Sequence, residues 1–101
     1  MDVKYFKEQI ADELNGAKCY IKKAIELKPM APTWSKMLVE MSSAELKHAE
    51  YLYKMFTEYY QKISSTYNEV PKYIDDARTE IVDMYAEETV KVQAMHTMYA
   101  Q

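Results

Sequence analysis

The sequence predicts an all-α protein, and three observations predict it. Gly occurs once and Pro three times in 101 residues, helix-favouring Glu, Lys, Ala, Leu and Met dominate, and apolar residues recur at steps of three and four. Almost nothing is left from which to build tight hairpins, so a β-sandwich or barrel is excluded. The length suits a single domain spanning residues 1–101.

Proline sets the element boundaries, because a ring inside a helix removes a hydrogen bond and clashes with the preceding turn. The first helix is expected from about Asp2 to Leu27, ending at the break Lys28-Pro29-Met30-Ala31-Pro32. The second starts at Pro32 or Thr33 and runs to about Ser65, where residues 64–71 supply loop chemistry. The third covers Pro71 to about Tyr99, with Pro71 suited to a first-turn position.

Each helix carries one stripe. On the first it is Val3, Phe6, Ile10, Glu13, Ala17, Tyr20 and Ala24; a carboxylate interrupts it, and Gly16 and Ala17 leave room beside Glu13. On the second, Trp34, Leu38, Met41, Glu45, His48, Leu52, Met55 and Tyr59 form a continuous seam expected to face a partner helix, so Glu45 and His48 are expected to point inward. On the third it is Ile74, Ala77, Ile81, Met84, Glu88, Val92, Met95 and Tyr99, with several carboxylates nearby. Most of the 10 Tyr and 8 Met fall at helical spacing and are read as packing. Trp34 is expected to anchor the corner between the first two helices, and His96 to lie exposed or at a boundary.

The net charge of -3, with basic residues interleaved among acidic ones, excludes a nucleic-acid footprint. No apolar run approaches the roughly 20 residues of a membrane span, and no basic segment leads into a hydrophobic one at the N-terminus. A lone Cys19 cannot form an internal disulfide. The expectation is a cytoplasmic protein without nucleic-acid or membrane partners.

A carboxylate beside an imidazole in an apolar seam costs several kcal/mol per uncompensated ion unless each is paired, hydrogen-bonded or metal-bound. Glu45 and His48 stand three apart on one helical face, within reach of one ion, and their oxygen and nitrogen donors suit iron, manganese or zinc. Di-iron and di-manganese carboxylate bundles take one Glu from each of two helices and a Glu-x-x-His from each of two others. Glu13 with Glu45-Leu46-Lys47-His48 is half of that set, so two copies related by a twofold axis complete it. The competing reading of the same residues is a core hydrogen bond between Glu13 and His48, or a set of boundary positions.

The stretches Glu13-Leu14-Asn15-Gly16-Ala17-Lys18-Cys19-Tyr20 and Val39-Glu40-Met41-Ser42-Ser43-Ala44-Glu45-Leu46-Lys47-His48-Ala49-Glu50 resemble the first two helices of rubrerythrin-like members of the ferritin-like superfamily. The resemblance covers roughly the first 60 residues. It implies Glu13, Glu45 and His48 as metal ligands and Tyr20 as a hydrogen-bond partner behind them. Thr79-Glu80-Ile81-Val82-Asp83-Met84-Tyr85 looks like that family's third-helix ligand region, which implies Glu80 as a ligand and Tyr85 as a neighbour. The chain departs from the family in having three core helices instead of four. Gln93-Ala94-Met95-His96 also has an amide where the second Glu-x-x-His would be, and there is no Cys-x-x-Cys pair.

The sequence is therefore also similar to compact encapsulated-ferritin-like proteins, which build a di-iron site across a dimer, and to uncharacterised ferritin-like proteins of bacteria and phages. The implied fold is a ferritin-like antiparallel hairpin plus a third helix, forming a four-helix-type core by homodimerisation or higher homo-oligomerisation. The implied function is iron binding with oxidation of Fe(II) by O₂ or peroxide. The alternative is a structural or interaction module that keeps the hairpin without metal.

Overall fold

The computed structural model describes residues 2–101 and contains three helices and no strand among them: α1 (Val3–Leu27), α2 (Pro32–Thr66) and α3 (Lys72–Ala100). Their limits fall within a residue or two of the proline-based expectation. Asp2 caps α1, its carboxylate accepting from the Tyr5 amide at 3.0 Å. The chain reverses over residues 28–31, where the amides of Met30 and Ala31 both donate to the Leu27 carbonyl. Pro32 then opens α2, where its missing N–H does no harm, and the Pro71 carbonyl accepts the first bonds of α3. No helix among the described residues is long and apolar enough to cross a membrane.

α1 and α2 form an antiparallel pair with a small-residue contact line. The buried residues of α2 are Ser35, Ser42, Ala49 and Phe56, one every seventh position, and those of α1 include Val3, Ile10, Ala17 and Ala24 at the same interval. Two heptad-spaced hydroxyls tie the helices directly: Ser35 donates to the Ala24 carbonyl at 2.6 Å and Ser42 to the Ala17 carbonyl at 2.7 Å. Side chains this small let the backbones approach closely, and both of these serine hydroxyls have an acceptor. Toward the other end the contact thickens into an aromatic cluster, where Phe6 lies edge-on to Phe56 with centroids 5.6 Å apart and against Tyr59 at 5.5 Å.

This line corrects the expected seam of α2. The core row runs one position away from it, so Trp34 is 67% exposed and Met41 and Met55 are each 44% exposed. Trp34 does not anchor the corner, and His48 does not point into the core. A reading by hydrophobicity selects the large apolar residues, whereas the close approach of α1 selects Ser and Ala. On α1, Leu14 and Ile21 are buried, while Glu13 and Tyr20 sit half-buried at the edge. On α3 the expected stripe holds: Ile74, Ile81 and Val92 are buried, and Ala77, Met84, Glu88, Met95 and Tyr99 are half-buried.

α3 runs parallel to α1 and packs mainly on it, with Lys7 paired to Glu80 and Lys18 to Glu88. It reaches α2 chiefly through long side chains. Tyr85 stacks on Tyr53, Tyr60 donates to Asp75, and His96 and Tyr99 meet Ser42 and Ser35. The result is a rod measuring 57 × 19 × 16 Å. The 35 residues of α2, at about 1.5 Å rise each, account for most of its length.

Candidate metal centre

Glu13 comes from the middle of α1; Glu45 and His48 come from the middle of α2, one turn apart on one face. The antiparallel contact of the two helices brings all three together. One donor atom from each lies within 4.8 Å of the others, with His48 Nδ1 3.5 Å from Glu13 Oε2 and 3.6 Å from Glu45 Oε1. The carboxylates are largely covered, 23% exposed for the Glu13 side chain and 26% for Glu45, while the imidazole is 53% exposed. The group sits in the flank of the hairpin, open on the side where His48 meets solvent.

Its electrostatics are those of two acids brought close under a single base. The Glu45 pKa is raised, first by a hydrogen bond shared with Glu13, then by burial and by the Glu13 charge, while His48 pulls it the other way. That shared bond requires a proton on one carboxyl. Glu13 Oε2 is buried without a hydrogen-bond partner among the described residues, the His48 ring standing 3.5 Å away. A buried oxygen left without a partner costs about 1–3 kcal/mol, more if charged.

An ion bound here would meet two carboxylate oxygens and one imidazole nitrogen, a hard and borderline set suited to iron, manganese or zinc. The donor chemistry and the orphaned oxygen both fit such an ion, since a cation supplies the charge that neither neighbouring acid can.

The other sequence-derived candidates lie elsewhere. Glu80 is exposed and paired with Lys7, outside the three-donor group. Tyr85 stacks on Tyr53 with centroids 4.1 Å apart, its pKa raised by burial and then by the nearby Glu50 charge. Tyr20 is half-buried on α1 and does not supply the hydrogen bond that Glu13 Oε2 lacks. Sequence reasoning missed the polar pair that joins α3 to α2, in which His96 Nε2 lies 2.9 Å from Ser42 Oγ. The heptad of Ser35, Ser42 and Ala49 was the signal that would have found it. Comparison with family models, curated proteins and solved structures finds no match to this chain, so the reading of the site rests on its own residues.

Proposed function

We propose that this protein binds iron through Glu13, Glu45 and His48 and oxidises Fe(II) with O₂ or peroxide, as the rubrerythrin-like and encapsulated-ferritin-like resemblance implies, at a site completed by a second copy of the chain. The observation that carries the reading is the buried Glu13 Oε2, which has no hydrogen-bond donor yet lies 3.5 Å from the His48 ring and beside a second carboxylate. Fe(II) is the substrate, and two such ions supply the two electrons that reduce O₂ to peroxide or peroxide to water. Glu13 and Glu45 offer anionic oxygen, which favours the more highly charged product ion, and His48 holds the exposed side through one ring nitrogen.

Three donors leave coordination positions open, and the surface around them supports a second subunit as the source of the rest. Trp34 and Tyr59, Leu38 and Met55, and Met41 and Leu52 stand at equal intervals along α2 on either side of the midpoint between Glu45 and His48. An antiparallel copy sharing that midpoint sets apolar against apolar along the whole row, with each Glu45 opposite His48 of the partner subunit. Trp34, Met41 and Met55, the exposed members of that row, also favour the second reading, a metal-free assembly module.

Iron per chain and Fe(II) oxidation separate the two. Native protein is expected to retain iron, to oxidise Fe(II) faster than buffer, and to sediment at twice the mass of the chain. Glu45→Ala is expected to lose both iron and oxidation. Native protein that holds no iron under iron-replete conditions and oxidises Fe(II) no faster than buffer rejects the iron reading and leaves the assembly module.

A further inference from the structure

Gly16 is the only glycine in the chain, and it lies in the middle of α1, where glycine is the poorest ordinary helix former. Its backbone does not require it, since no residue among those described has a positive φ. The reason is therefore to be sought in the space a side chain would occupy. A methyl group at Gly16 would come within 3.0 Å of Glu45 Oε2 and 3.6 Å of that carboxyl carbon, and no other neighbour crowds it as closely.

We infer that Gly16 is the positioning residue of the three-donor group: the volume its missing side chain leaves is where the Glu45 carboxylate lies, laid across α1 next to Glu13. A contact of 3.0 Å between a methyl carbon and a carboxylate oxygen is too short to keep, so an alanine here drives the oxygen outward by a few tenths of an ångström. Glu45 can yield, because the crowded atom is the free end of a flexible side chain. Yielding shifts that carboxylate from its present place beside Glu13 and His48. Metal sites hold their donors to within about 0.2 Å, so a displacement of that size tells on affinity even though the helices pack as before. α1 thus carries a residue that lowers its own helical preference in order to seat a donor from α2.

The steric part stands on the contact alone; the metal part rests on the reading proposed above, and one experiment keeps them apart. Gly16→Ala is made in the native chain and in Glu45→Ala, the thermal midpoint of each is measured without metal, and the Mn(II) dissociation constant of the native and Gly16→Ala chains is measured by calorimetry. With Glu45 truncated, the alanine is free to act as a better helix former and the midpoint rises by about 4–8 °C. In the native chain the rise is smaller or absent, because the carboxylate must move. Mn(II) binding by Gly16→Ala weakens by about 10–100-fold.

Equal rises in the two backgrounds overturn the inference, as does an unchanged Mn(II) constant in a native chain that binds Mn(II). If the native chain binds no Mn(II) but the two rises differ, the metal reading fails and the placement of Glu45 by Gly16 stands.

Discussion

Ser42 has one proton to give, and it goes to the Ala17 carbonyl at 2.7 Å. The bond with His96 must then run the other way, with Nε2–H donating to Ser42 Oγ at 2.9 Å. This fixes the neutral ring with its proton on Nε2, and burial lowers the His96 pKa from its usual 6.5. The unfolded chain binds this proton more readily than the folded one. The stability that neutral His96 contributes is therefore present above about pH 6.5 and is lost as the pH falls through the lower folded value. Chemical denaturation between pH 7 and pH 5 is expected to show native stability falling more steeply than that of His96→Gln, whose amide still donates to Ser42. Parallel curves contradict the assignment.

At the scale of elements, the helices were legible in the sequence and the face by which α2 packs was not. Pro29, Pro32 and Pro71 mark boundaries because their chemistry is local, and the structure starts and stops its helices there. Which side of α2 meets α1 is decided by distance between backbones, a property of two helices that neither shows alone. Ser35, Ser42 and Ala49 win that contact because they are small, and two of them carry hydroxyls that hydrophobicity counts against burial. Ser42→Leu is expected to lose about 3 kcal/mol in denaturant unfolding, because the larger side chain forces α1 and α2 apart and removes a buried hydrogen bond. The same substitution at exposed Ser43 is expected to cost less than about 0.5 kcal/mol. Equal effects at the two positions would show that the contact line is not as close as described.

For the whole molecule, the shifted packing face has a consequence that joins fold to site. Because Ser35, Ser42 and Ala49 take the contact with α1, Trp34, Met41 and Met55 are left outward on the face of α2 that carries Glu45 and His48. The pairing of Glu45 with His48 was readable from their spacing, and Glu13 from its place on the stripe of α1. The burial of His48 was misjudged for the same reason as the seam. Glu80 fell outside because its local sequence carries no sign of Lys7, a partner that only the parallel packing of α3 on α1 supplies. On the proposed reading, exposed Trp34, Met41 and Met55 and the half-open group of donors form the surface that a second copy covers, with an ion at the centre.

Anomalous diffraction from crystals grown with iron tests this account most directly. The account predicts a peak at the iron edge between the carboxyl groups of Glu13 and Glu45 and the His48 ring, with a second copy of the chain closing over it. Anomalous density absent from that position, with Glu13 and Glu45 instead joined by a shared proton or hydrated, would contradict it.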